Sequence, residues 1–159
     1  MLLYHGSNTV VERPEIRENL RALDFGAGFY LTSSREQAAK WAKTVTKRRR
    51  KGAPVLNVYE LDQELMKELN ILQFQSADAS WLDFVVANRK EMPVNNIYDL
   101  VIGPVANDST LPVIDDYMDG KYTREQAVER LLPQNLTDQY AFLTRKALSY
   151  LRFKGEKTL

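Results

Sequence analysis

The sequence predicts an α+β fold: a mixed or antiparallel sheet, split in two, with helices packed on its outside. Three observations lead there. Short segments of alternating apolar and polar residues recur along the chain, separated by short helical patterns without a steady strand-helix alternation. One segment, Ile97 to Ala106, is apolar almost without a break, as a central strand covered on both faces would be. Two Ser/Thr-x-x-Gln patterns, Ser34 with Gln37 and Thr123 with Gln126, mark where helices open between the strands.

The chain begins with a strand, Met1 to Ser7, which ends in a glycine and carries the single histidine of the 159 residues. Alternation puts Leu3 and His5 on one face and Leu2 and Tyr4 on the other. Asn8 to Leu23 mixes Pro14 with Glu12, Arg13, Glu15, Arg17, Glu18 and Arg21, and its sparse apolar residues predict a surface loop. Asp24-Phe25-Gly26-Ala27-Gly28 then turns into the strand Phe29-Tyr30-Leu31-Thr32, and a helix runs from about Arg35 to Arg49. Ala38, Trp41, Ala42 and Val45 form its apolar stripe. Its end, Lys47-Arg48-Arg49-Arg50-Lys51-Gly52, places cations at the negative pole of the helix before a glycine stop, and five successive cations also suit phosphate.

Pro54 opens a strand over Val55 to Leu61, with Val55, Asn57, Tyr59 and Leu61 on one side. Asp62 caps a short helix ending near Leu69, and Ile71 to Phe74 is a short strand. Ser80 caps a helix from Trp81 to about Lys90 whose Trp81, Leu82, Phe84, Val85 and Val86 are core. After Ile97 to Ala106, where Gly103-Pro104 suggests a bulge or bend, Asp108 caps a turn through Val113, Ile114 and Tyr117. A helix over Arg124 to Leu132 stops before Pro133. Asp138 to Leu143 alternates as a strand, Thr144 caps a short turn, and Leu151 to Phe153 closes in extended form.

The length and a 44% hydrophobic content fit one domain over residues 1–159. Twenty-two basic against 21 acidic residues leave a net charge of +1, so any contact with nucleic acid or a membrane surface must be local. The chain has no cysteine, which excludes disulfides, thiolate nucleophiles and cysteine metal sites, and one histidine gives no His-rich metal cluster. No signal peptide or transmembrane run is visible, and a cytoplasmic location is expected.

Candidate chemistry gathers at two glycine-bearing segments. His5-Gly6 and Gly26-Ala27-Gly28 each allow a ligand to approach the main chain closely. The order loop, strand, helix differs from a dinucleotide fingerprint or a P-loop, whose glycines follow a strand and open a helix.

These segments, Tyr4-His5-Gly6-Ser7 and Gly26-Ala27-Gly28-Phe29-Tyr30-Leu31-Thr32 followed by a helix with an aromatic, resemble the NAD-binding half of the diphtheria-toxin-like ADP-ribosyltransferases, the superfamily that includes the poly(ADP-ribose) polymerases. Asp24 to Tyr30 and Tyr98 to Asp108 also resemble a smaller bacterial family of domains placed in that superfamily, and this likeness covers most of the chain. The resemblance implies a two-sheet core clamping NAD, used as a substrate without a metal. It implies that His5 holds a ribose hydroxyl, that Gly6 bonds the nicotinamide amide through its backbone, and that Tyr30, after the turn at Gly28, stacks on nicotinamide. Trp41 stands where the polymerases have a second stacking aromatic. Ala38 departs from a serine they often carry, and Gln139 stands where the best-known enzymes have a catalytic glutamate.

Transfer of ADP-ribose from NAD to a macromolecule, protein or nucleic acid, is therefore the expected activity, and family members of this kind resemble bacterial toxins paired with an antitoxin protein. Two further readings stand beside it. One is a catalytically weak or inactive NAD-binding regulatory module; the other is a nucleic-acid-binding domain working through Lys47 to Lys51.

Overall fold

A computed structural model describes residues 1–17, 23–91 and 97–159. Its architecture is α+β with two sheets and peripheral helices. Strand β1 (Leu2–Ser7), β3 (Val55–Leu61) and β7 (Leu151–Thr158) form an antiparallel sheet in the order β1-β3-β7. The second sheet runs β2 (Phe29–Leu31), β6 (Asp138–Phe142), β5 (Leu100–Pro104), β4 (Ile71–Gln73), antiparallel except for the parallel pair β4 and β5.

Period-2 alternation decides what each sheet face meets. Leu3, Tyr59 and Leu61 from the first sheet meet Phe29, Leu31, Leu100, Ile102, Tyr140 and Phe142 from the second, so one core lies between the sheets. The opposite face of the second sheet, Val101 and Ala141, is covered by Phe25 and by helices α2 (Ala79–Arg89), α3 (Leu111–Met118) and α4 (Arg124–Leu131) through Trp81, Leu82, Val85, Ile114, Ala127 and Leu131. Strand β5 is thus internal and buried on both faces, as its apolar run requires. Trp81 is fully buried, its indole N–H donating to the Pro104 carbonyl at 2.9 Å.

Helix α1 (Arg35–Arg49) lies on the first sheet, its buried stripe made of Ala38, Ala42 and Val45. Small residues on that stripe let the helix come close to β1. A Cβ at Gly6 would stand 2.1 Å from the Ala38 carbonyl oxygen and 2.7 Å from the Ala42 nitrogen. Trp41 is outside the stripe and 46% exposed, so it is not core.

Several local expectations change. Ser34 caps α1 by accepting from the Gln37 N–H, but the Ser34 N–H goes to Thr32 Oγ1. The chain leaves α1 at Arg50, whose φ of 53° is left-handed, two residues before Gly52. Asp78, not Ser80, caps α2, accepting from the Trp81 N–H at 2.9 Å. Before α3 it is Asn107, not Asp108, that accepts from Ser109 and Thr110, and Thr110 is the N-cap. The capping box of Thr123 and Gln126 opens α4, and Thr144 caps a short helix α5 (Arg145–Leu148). Leu65–Glu68 is a single 3₁₀ turn. No bulge interrupts Gly103-Pro104, which pair in register with Gln139 and Asp138. Strand β7 continues to Thr158, five residues beyond Phe153, past a register shift opposite Val58 and Tyr59 and a Gly155 with φ 147°.

The 8–17 segment has no regular element, yet Val11 and Ile16 pack on the inter-sheet core. Buried Asn57 fixes it, accepting from the Val11 N–H at 2.9 Å and donating to the Thr9 carbonyl at 3.2 Å, while the Tyr59 hydroxyl donates to the Val11 carbonyl. Residues 18–22 of the loop expected up to Leu23, Glu18 and Arg21 among them, lie outside the described residues.

Candidate functional site

The two sheets are stitched edge to edge at one point. Tyr4 of β1 and Thr32, just past β2, exchange backbone hydrogen bonds of 2.8 and 2.9 Å. His5 Nδ1 lies 2.7 Å from the Tyr30 carbonyl oxygen beside this bridge, and its ring stacks on Phe29 with centroids 4.2 Å apart. Burial holds the His5 pKa down to about 4, against the opposing pull of the Tyr30 carbonyl; the Arg49 charge lowers it further. At neutral pH the ring is therefore uncharged. Because a carbonyl only accepts, Nδ1 carries the hydrogen, and Nε2 is left as an acceptor.

A testable consequence concerns acid stability. The unfolded chain takes up a proton near pH 6.5 and the folded one near 4, so stability rises with pH across that window and is lost as pH falls through it. The full shift corresponds to about 3 kcal/mol; the partly exposed ring reduces this to the order of 2 kcal/mol. His5→Gln, which keeps a donor for the Tyr30 carbonyl, should flatten denaturant midpoints measured from pH 7 to 4. An unchanged slope in the variant would show that His5 is not the titrating group.

Tyr30 organises the glycine turn. Its hydroxyl donates to the Gly26 carbonyl at 2.5 Å and accepts from the Phe25 N–H at 3.0 Å, closing residues 25–30 on themselves. Burial raises the phenol pKa, so the hydroxyl stays protonated and available as donor. Gly26 has φ 102°, a backbone state that favours glycine. Gly28 serves packing: a Cβ there would meet the Phe142 carbonyl oxygen at 2.6 Å and Leu143 Cδ2 at 2.7 Å. The turn is braced on α2, where Arg89 Nε bonds Asp24 Oδ1 at 2.7 Å and Asn88 Nδ2 bonds the Asp24 carbonyl at 3.2 Å. Sequence reasoning missed this brace, since nothing local marks a pair 65 residues apart.

Tyr30→Phe should cost about 1 to 3 kcal/mol, since two backbone groups of a half-buried turn lose their partner at once. Denaturant unfolding measures it. A loss under 0.5 kcal/mol would mean that water replaces the hydroxyl.

Gln139 sits on β6 opposite Gly103, on the same sheet face as Ala141 and therefore as Tyr30, Ala141's cross-strand partner. Tyr30 and Gln139 are diagonal neighbours across the pair, about 7 Å apart. Gln139 is only 8% exposed, and its side-chain nitrogen is buried without a hydrogen-bond partner, the one such side-chain atom among the described residues. Its neighbour Asp138 faces the other way and is engaged, accepting from Thr32 Oγ1 at 3.1 Å, the Ser33 N–H at 2.8 Å and the Ser33 hydroxyl.

Three strands thus bring His5-Gly6, Tyr30 and Gln139 to the stitched edge, with the His5 ring on the inter-sheet face and the Tyr30 ring and Gln139 on the helix-covered face. Trp41 is turned outward on α1, with the Arg48 guanidinium 5.4 Å from its ring centroid. An open depression of about 350 Å³ lies elsewhere, between α2 and α4, lined by Ala79, Arg124, Val128 and Leu132. Among the described residues no three carboxylate or histidine side chains cluster as metal ligands would, and no helix is long and apolar enough to cross a membrane.

No curated protein and no solved structure matches the chain. A family profile described as Protein of unknown function (DUF3990) matches residues 1–153, nearly the whole length. The chain belongs to that DUF3990 family.

Proposed function

We propose that the protein binds NAD at the stitched edge of its two sheets and transfers single ADP-ribose units to a macromolecule, acting in the cytoplasm as the toxin of a bacterial toxin-antitoxin pair. The observation that carries this reading is the buried, unpartnered amide nitrogen of Gln139 one diagonal step from Tyr30. A buried donor without a partner costs about 1 to 3 kcal/mol, a cost a ligand oxygen would remove.

The chemistry asks little of the protein beyond placement. The bond between ribose C1′ and the nicotinamide nitrogen breaks, nicotinamide leaves with the electron pair, and an acceptor oxygen or nitrogen bonds C1′ and gives up its proton. Positive charge develops on the ribose, so the site must pin the leaving group and hold the sugar. Tyr30 offers the ring for nicotinamide and Gly6 a backbone for its amide. His5, neutral with Nε2 free of the Tyr30 bond, offers an acceptor to a ribose hydroxyl, and Gln139 an N–H to a ribose oxygen. Trp41 is not needed among them.

One observation favours the second reading, an NAD-binding regulatory module of low turnover. Gln139 presents a neutral donor, and a donor adds no negative charge opposite the developing cation, where a carboxylate would. Incubation with NAD labelled in the adenylate part and with a cell lysate separates the two. Label transferred to macromolecules supports the transferase. Bound but unreacted NAD supports the module, and no binding by calorimetry overturns both.

A further inference from the structure

The exposed side of α1 carries an arrangement that neither NAD nor the core uses. Successive residues on a helix turn by about 100°, so Trp41, Thr44, Lys40, Arg48, Lys47 and Lys43 share one broad outward stripe opposite the buried Ala38, Ala42 and Val45. All six are exposed. Solvated helix faces ordinarily mix acids with bases. Here no acid occurs between Glu36 and Glu60, although the chain as a whole is nearly balanced. Among the described residues no carboxylate lies within ion-pair distance of Lys40, Lys43, Lys47 or Arg48. Arg49, by contrast, donates to Asn8 Oδ1 at 2.8 Å.

Trp41 decides what such a face suits. An exposed indole backed by a guanidinium is a stacking platform, and a platform flanked by free cations fits unpaired bases joined by phosphates. A membrane surface fits poorly, because a helix lying on lipid needs a free apolar face, and the apolar face of α1 is buried on β1. We propose that the outward stripe of α1, with Trp41 beside Lys40, Lys43, Lys47 and Arg48, binds single-stranded nucleic acid, phosphates on the cations and one base on the indole. Lys40 to Arg48 spans about 12 Å along the axis, room for a few phosphates.

Fluorescence tests this directly, because the other tryptophan, Trp81, is fully buried and reports little of the surface. A twelve-nucleotide oligothymidine should quench Trp41 at about 50 mM salt, and log affinity should fall linearly with log salt at about −0.7 per phosphate engaged. Trp41→Ala should weaken binding fivefold or more, followed by anisotropy of a labelled oligonucleotide, and leave that slope in place. The double variant Lys47→Gln, Arg48→Gln should make the slope shallower by about 1.4 while NAD affinity, measured by calorimetry, stays at the parent value. Absence of binding at 50 mM salt, equal affinity in Trp41→Ala, tighter binding to vesicles of phosphatidylserine and phosphatidylcholine, or competition by NAD would each overturn the proposal.

Discussion

Gly6→Ala is expected to lower the melting temperature by about 10 °C or to abolish soluble expression, whereas Gly120→Ala lowers it by only about 3 °C. The two glycines differ in what surrounds them. A methyl group at position 6 would sit 2.1 Å from one backbone atom of α1 and 2.7 Å from another, and helix backbone cannot rotate aside as a side chain can. Overpacking costs about 1 to 3 kcal/mol and occasionally more. With at least the upper end applying here, and each kcal/mol shifting a domain of this size by about 2 to 4 °C, the drop is about 10 °C. Gly120 has φ 80° and nothing within 4 Å, so alanine there meets only left-handed backbone strain, about 1 kcal/mol. Paired thermal melts decide it; a Gly6→Ala shift no larger than that of Gly120→Ala would mean that α1 does not lie on β1 as described. Because β1 also carries His5, partial unfolding of this contact should weaken NAD binding in the same variant.

The close approach at Gly6 illustrates what the sequence could and could not disclose. The strands were legible because burial enforces period-2 alternation: Val55, Asn57, Tyr59 and Leu61, expected on one side of β3, are all buried, and Asn57 shows how a polar residue on an apolar face flags a job, here holding the 9–11 segment. Strand β7 was legible only to Phe153, because an edge strand exposed on one side needs apolar residues at few positions. Helix starts were legible where cap and responding residue are both local, as at Thr123 and Gln126. They slipped where several cap-type residues crowd together, Asp78 with Ser80 and Asn107 with Asp108, since each offers an equivalent oxygen and only tertiary packing chooses. The glycines announced close approach without saying of what: at Gly6 it is a helix, and at Gly28 the end of β6. Trp41 fitted the helical stripe on spacing but falls just past its edge, a difference of about 40° that a spacing rule does not resolve. The Asp24–Arg89 brace and the orphaned nitrogen of Gln139 are products of tertiary packing, and no local pattern encodes either.

Gln139 is the residue at which stability and function should separate most widely. Gln139→Met, close in size and without polar atoms, removes an unsatisfied buried nitrogen and should raise the unfolding free energy by about 1 to 2 kcal/mol. A gain of that size is about 2 to 8 °C in melting temperature. The same variant should weaken NAD binding fivefold or more and lose most ADP-ribose transfer with it, because the N–H it removes is the one offered to a ribose oxygen. A residue kept for packing alone would behave in the opposite way, losing stability and leaving chemistry untouched. Gln139→Glu should retain or raise transfer by placing a carboxylate opposite the developing cation. Its cost lies in the fold: a carboxyl buried at that position has its pKa raised, so its stability should be kept below about pH 4 and should decline as pH rises through the raised value. Should Gln139→Met instead destabilise the protein and turn over labelled NAD as fast as the parent, the amide is structural, and the catalytic group must be sought elsewhere. Asp138 is the poorest substitute, since Thr32 and Ser33 already occupy its oxygens. Asp108, exposed in the turn before α3, and Glu156, exposed on β7 of the other sheet, are then the carboxylates to replace next.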